Sequence, residues 1–217
     1  MFIRDHMTAN PFTVTPDDTV PKAVEVMKVN HVRHLPVVRE GKVVGVIANS
    51  DIAKASPSQA TSFSIGEITY LFSKLKVGKV MSREVFTIPA DALLEQAAVL
   101  MRDHKVEMVP VMEGEKLVGV ITESDILDSF VDIMGMRMRG TRLVLEATDA
   151  PGQLSKITGL VADHGMNITH LAVYPGSGTS QIVLGVNSLN TADLEAQLVG
   201  LGYRVTARLR NEPPAND

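Results

Sequence analysis

Cysteine is absent from the 217 residues, which removes disulfides, thiolate nucleophiles and the usual zinc frameworks together. Tryptophan is absent as well, and aromatic residues make up 4% of the chain, too sparse for the stacking platforms that single-stranded nucleic acid requires. A strong charge of one sign is also missing. The formal net charge of −4 is shared evenly by the parts before and after Gly140, so no concentrated basic footprint exists for a phosphate backbone. No apolar run approaches the ~18 residues of a membrane span, and residues 1–20 lack a cationic start followed by an apolar block. With 45% hydrophobic and 21% charged residues, the composition reads as a soluble, cytoplasmic, globular chain with neither nucleic acid nor membrane as partner.

What is present is a duplication. The stretch GVITESDI, Gly119 to Ile126, occurs first as GVIANSDI, Gly45 to Ile52, an offset of 74 residues. The same offset superposes Met7 on Met81, Phe12 and Thr13 on Phe86 and Thr87, Met27 on Met101, and Pro36 and Val37 on Pro110 and Val111, without a gap. An ungapped register over the 46 positions from Met7 to Ile52 marks an internal repeat.

Each copy reads as strand, helix, strand, strand, helix. In the first, FTVT is a short extended piece, and Thr19 caps a helix whose stripe is Val20, Ala23, Val24 and Met27. The second copy repeats that stripe as Leu94, Ala97, Ala98 and Met101. Strands Leu35 to Val38 and Val109 to Met112 turn at Glu40-Gly41 and Glu113-Gly114 into apolar strands that close on Ser-Asp-Ile. A unit of roughly fifty residues cannot cover so small a sheet, so the two copies are expected to pack together. Between them, ASPSQATSF precedes a connecting helix with Ser64 and Glu67 as a capping box and Ile65, Ile68, Phe72 and Leu75 on one face.

From Thr141 the pattern changes. A strand TRLVLEA leads through TDAPG to a helix with Leu154, Ile157, Leu160 and Val161 inward, ending at Gly165 in the place of a left-handed cap. Two strands, a helix capped by Asn190 with Leu194, Leu198 and Leu201, and a last strand YRVTARL complete the order βαββαβ, a ferredoxin-like arrangement.

The chemistry concentrates where the repeated motif passes from strand to helix. Free backbone N–H groups at a helix start, the hydroxyls of Thr122 and Ser124, and the carboxylate of Asp125 meet at one point and suit a phosphate and a ribose diol. Ser50 and Asp51 repeat this in the first copy, but Ala48 replaces Thr122 and removes one donor. The plain reading is that Ser and Asp cap their helices. Arg33 and His34 in the first copy, and Arg102, His104 and Lys105 in the second, are the basic groups available to phosphate. His31 and His34 lack a third ligand for a metal site. No Ser-His-Asp set, P-loop or thiol announces catalysis, so no catalytic residue is assigned.

The repeated motif, with M-x-x-x-x-F-T, L-P-V-V and G-V-I-T-x-S-D-I, resembles a tandem pair of CBS domains, and D-A-P-G-Q-L-S-K-I with G-M-N-I resembles an ACT domain. Their order resembles the acetoin-utilisation regulatory protein family. The fold expected is therefore α+β, two CBS repeats (1–56 and 79–134) packed about a pseudo-two-fold, then the ACT domain (141–210). Residues 57–78 and 135–140 are read as linkers and 211–217 as a disordered tail.

The resemblance implies a non-catalytic regulator without a resident cofactor or metal. Its effector is expected to be an adenine nucleotide, AMP or ADP ahead of ATP because Glu123 adds negative charge, or S-adenosylmethionine. Asp51 and Asp125 hold the ribose, Thr13-Val14 and Thr87-Ile88 line the adenine, and Arg33 meets phosphate. Gly152 and Asn167 are carried over as an amino-acid site at the interface of a homodimer. The alternative is a ligand-free dimerisation module.

Overall fold

The computed structural model describes residues 1–55 and 65–212. The Ser64 half of the capping box and tail residues 213–217 lie outside the described residues, as do the side chains of Ile65 and Ile68. The chain divides into two compact units, Met1–Leu127 and Asp128–Asp217.

The first unit opens with a short 3-10 turn, Ile3–Asp5, and β1, Thr8–Ala9. Helix α1, Val20–Val29, begins where Thr19 Oγ1 accepts from Lys22 N, and strands β2, His34–Arg39, and β3, Lys42–Ala48, form a hairpin. Helix α2 is Asn49–Ala55, α3 is Ile65–Lys74 and α4 is Val77–Val80. The second copy supplies β4, Ile88–Pro89, α5, Leu94–His104, β5, Met108–Glu113, β6, Lys116–Thr122, and α6, Glu123–Ile133, which crosses the unit boundary.

The 74-residue offset holds in three dimensions. Both hairpins carry a bulge at the same place, between Val37 and Val38 and between Val111 and Met112. Helices α1 and α5 end alike, with Val32 N donating to Met27 O and Val106 N to Met101 O, while His31 and Lys105 take the left-handed conformation at φ 54° and 55°. The extended piece FTVT forms no strand: Val14 makes a single parallel bridge to Val37, and its counterpart Ile88 starts a two-residue strand on Val111. Val24 is exposed, so the buried stripe of α1 is Val20, Ala23 and Met27.

The copies exchange their leading segments. Ile3 N donates to Ala92 O while Val77 N donates to Asp18 O, and Arg4 N pairs with Ala90 O as Gly78 N does with Pro16 O. Thr8 lies opposite Val120, and Ser82 opposite Val46. Ile3 is thereby buried in the core of the second copy with Ile88, Leu94, Val111 and Ile121, and Val77 and Met81 in that of the first with Val20, Leu35 and Ile47. Phe72 and Leu75 pack against the first core. A Cβ on Gly119 would lie 2.5 Å from Met7 Sδ and one on Gly45 2.6 Å from Met81 Sδ, so the repeated glycine is what lets the crossing chain approach.

In the second unit, β7, Gly140–Thr148, α7, Gln153–Asp163, β8, Ile168–Pro175, β9, Thr179–Val186, α8, Ala192–Gly200, and β10, Arg204–Asn211, follow the expected βαββαβ order. The sheet is antiparallel in the order β10-β7-β9-β8, and Leu143, Leu145, Ile157, Val161, Leu184, Leu194 and Leu198 form its core. Gly165, at φ 66°, ends α7, with Met166 N donating to Val161 O. Leu154 and Leu201 are largely exposed, and Asn211 belongs to β10.

Candidate functional site

Two cavities related by the repeat are each built from both copies. The larger, about 470 Å3, takes Thr122, Ser124 and Asp125 from the second copy and Asn10, Phe12, His31, Arg33 and His34 from the first. The smaller, about 240 Å3, takes Ala48, Ser50, Asp51 and Lys54 from the first copy and Glu84, Phe86, Lys105 and Glu107 from the second. The exchanged leading segments bring this about, because each carries its aromatic residue to the partner copy's strand-to-helix turn.

At the larger cavity the turn is held by a reciprocal capping box. Asp125 Oδ2 accepts from Thr122 N at 2.8 Å and from its hydroxyl at 2.7 Å, while Thr122 Oγ1 accepts from Asp125 N at 3.3 Å. Asp51 Oδ2 likewise accepts from Ala48 N at 2.9 Å, but Ala48 returns nothing. Both aspartates thus hold their own helix starts as well as facing a cavity.

Arg33 does not share a cavity with Asp51, although both belong to the first copy. Arg33 lines the Asp125 cavity, and half-buried His34 lines both. His34 Nε2 lies 3.1 Å from Glu107 Oε2. Burial nonetheless holds the imidazole below its ordinary value, against the pull of Glu107 and with the aid of Arg33. Lys105 lines the Asp51 cavity, His104 stacks on Phe86 at 3.8 Å between ring centroids, and Arg102 lines neither cavity.

Thr13, Val14, Thr87 and Ile88 do not line either cavity. Val14 and Ile88 are buried in the two cores, and Thr13 and Thr87 point to solvent. The cavity-lining residues just upstream are Asn10 to Phe12 and Glu84 to Phe86. An aromatic residue at the same place in both copies was the available signal. Among the described residues, no three His, Asp or Glu side chains cluster as a metal would require.

In the second unit, Gly152, at φ 86°, borders a cavity of about 380 Å3 formed by Thr148 to Ser155 with Val173, Ser180 and Ile182. Asn167 is not among its walls. Strands β7 and β8 run parallel, each antiparallel to β9, and Thr141 and Ile168 both lie opposite Val186. Asn167 therefore sits at the start of β8, whereas Gly152 follows the end of β7. The Asn167 backbone N–H donates to Asn187 Oδ1 at 2.8 Å.

The CBS domain family model matches residues 3–58 and 77–132, and the ACT domain model residues 141–201. The chain is 29% identical over 124 residues to the CBS domain-containing protein YhcV of Bacillus subtilis, across 57% of this chain and 81% of that one. It is 32% identical over 151 residues to inosine-5'-monophosphate dehydrogenase of Methanocaldococcus jannaschii, covering 69% of this chain but 27% of that enzyme. Among solved structures, one named for an acetoin utilization protein (AcuB) from Vibrio cholerae aligns with a TM-score of 0.52 and 26% identity, over 63% of this chain and 94% of that one. The CBS domain pair of protein MJ0100, in complex with 5-methylthioadenosine and S-adenosyl-L-methionine, aligns at 0.50 and 27%, over 60% and 95%. CBSX2 in complex with AMP aligns at 0.50 and 26%, over 61% and 97%. Among the described residues no helix is long and apolar enough to cross a membrane.

Proposed function

Since this chain belongs to the CBS-domain family and ends in an ACT domain, we propose that it is a non-catalytic regulatory protein that senses an adenine nucleotide in the Asp125 cavity. The observation that carries this reading is the convergence on one 470 Å3 cavity of an aromatic ring, Phe12, a carboxylate, Asp125, two hydroxyls, Thr122 and Ser124, and the basic Arg33. Adenine stacks against Phe12, the ribose diol donates to Asp125, and phosphate accepts from Ser124, the start of α6 and Arg33. The complexes of similar CBS structures with AMP and with S-adenosyl-L-methionine support an adenosine-class effector. One arginine in the lining favours AMP or ADP over ATP.

The Asp51 cavity is the more acidic of the two. Asp51, Glu84 and Glu107 outnumber Lys54 and Lys105, and Ala48 supplies no hydroxyl. It suits an adenosine ligand with little or no phosphate, or with a cationic sulfonium as in S-adenosylmethionine. An amino acid at Gly152 would meet Asn167 only from a second copy of the chain, which ties that site to a homodimer.

Thermal unfolding of the full chain with AMP, ADP, ATP and S-adenosylmethionine tests the reading. A ligand at a hundred times its dissociation constant adds about 2.7 kcal/mol, or roughly 2 to 4 °C for a chain of this size. AMP should stabilise the parent, and the shift should vanish in Phe12→Ala and Arg33→Ala, neither of which disturbs the capping box. No shift with any of the four would leave a ligand-free dimerisation module.

A further inference from the structure

The offset of 74 residues sets the walls of the two cavities of the first unit against each other, position by position. Phe12 corresponds to Phe86, Ser124 to Ser50 and Asp125 to Asp51, so the groups suited to adenine, ribose and the helix start are shared. Three lining positions differ in charge. Asn10 corresponds to Glu84, His31 to Lys105 and Arg33 to Glu107, the last an inversion of sign. Lys54 also lines the smaller cavity. Beyond its aspartate and histidines, the Asp125 cavity therefore presents one guanidinium, whereas the Asp51 cavity presents two carboxylates and two ammoniums.

These charges are available to a ligand. No ion pair among the described residues includes Lys54, Glu84 or Lys105. Glu107 is held by His34, whose Nε2 lies 3.1 Å from its Oε2. Because burial keeps that imidazole below its ordinary value, the contact positions the carboxylate without cancelling its charge near neutral pH. A phosphate placed among these groups would meet Glu84 and Glu107, and a simple cation would meet the two lysines. A group that carries both signs satisfies both. At ~10–15 Å3 for each water-sized atom, the 240 Å3 cavity has room for an adenosine, with Lys54, Glu84, Lys105 and Glu107 exposed around it.

We propose that the Asp51 cavity selects an adenosine whose 5'-substituent is an amino-acid zwitterion, with Glu107 meeting its ammonium and Lys105 its carboxylate, while the Asp125 cavity holds the phosphorylated ligand. The chain then carries two different adenosine ligands at once. This rests on the placement of adenine and ribose argued above: the 5'-substituent that meets Arg33 in one cavity meets Glu107 in the other. Lys105 and Glu107 are the specificity-determining residues, two positions apart on the turn that follows α5.

The test is isothermal titration of the full chain with S-adenosylhomocysteine, 5'-methylthioadenosine and AMP, each alone and the first two also after saturation with AMP. The two thioethers differ in that only S-adenosylhomocysteine carries the zwitterion. It should bind the AMP-saturated chain, and methylthioadenosine should bind about tenfold more weakly, since two exposed charge pairs are lost. Glu107→Gln, which keeps an acceptor for His34, and Lys105→Gln should each weaken S-adenosylhomocysteine roughly two- to fivefold and leave methylthioadenosine unchanged. Phe86→Ala should lose S-adenosylhomocysteine and keep AMP, and Phe12→Ala should do the reverse. The proposal is overturned if S-adenosylhomocysteine binds no more tightly than methylthioadenosine, if both charge variants bind it as the parent does, or if AMP displaces it. A parent that binds S-adenosylhomocysteine but no AMP would remove the phosphate from the Asp125 cavity and leave this selectivity standing, whereas binding of neither removes both.

Discussion

His34 lines both cavities of the first unit, and burial outweighs its partner in setting the direction of its titration. Desolvation holds its imidazole below 6.5, although Glu107 lies 3.1 Å away. Since the folded value is below the unfolded one, the unfolded chain binds more protons in the interval between them. Stability is therefore full above about pH 6.5, falls as pH drops from there to the lowered folded value, and is flat below that interval as far as this group is concerned. His170 is shifted the same way and acts in the same sense. Melting temperatures measured from pH 7.5 to 5 should fall on acidification, and the His34→Gln, His170→Gln double variant should show a flatter profile. An identical profile in the variant would assign the loss to other groups. At this scale the sequence already pointed to Asp51, Ser50, Ser124 and Asp125. Thr13-Val14 and Thr87-Ile88, expected beside the adenine, are not among the cavity linings, because β-alternation does not reveal which side of a non-strand segment faces inward.

Between the elements, the exchange of leading segments is the main consequence of the repeat. Ile3 belongs to the first copy by sequence and to the second by packing, where it is fully buried beside Ile88 and Ile121. Ile3→Ala removes three carbons from that core and should cost about 2 to 5 kcal/mol. Hydrogen exchange should speed at the amides of Val111 and Ile121 and leave Val37 and Ile47 protected. Faster exchange at Val37 and Ile47 with Val111 unchanged would contradict the exchange of segments. The offset of 74 residues made the duplication plain, but periodicity records which residues are apolar and not which copy receives them. Gly45 and Gly119 carried the clue, since a glycine inside an apolar strand marks close backbone approach, here by Met81 and Met7.

For the whole molecule, the edge of the second unit's sheet bears on assembly. Among the described residues β8 pairs only with β9, and it leaves Leu171, Val173 and Tyr174 partly exposed at 39%, 43% and 48%. An unprotected apolar edge strand is a template for pairing with another chain, which fits the proposed homodimer and would bring a second Asn167 into play. Sedimentation equilibrium should give twice 23.4 kDa for the parent, and Leu171→Lys with Val173→Lys should return it to the monomer mass. A monomeric parent would remove the dimer, and a dimeric variant would move its interface elsewhere.

The sequence by itself determined the duplication, the α+β class, the βαββαβ order from residue 141, and the residue types at each strand-to-helix turn. Those features follow from local periodicity, capping chemistry and a register repeated along the chain. Only the tertiary structure decided that each of the two cavities draws on both copies, and that Phe12 and Arg33 line the cavity of Asp125 rather than that of Asp51. These juxtapositions depend on strand pairing and burial between residues far apart in the chain, for which local patterning carries no signal.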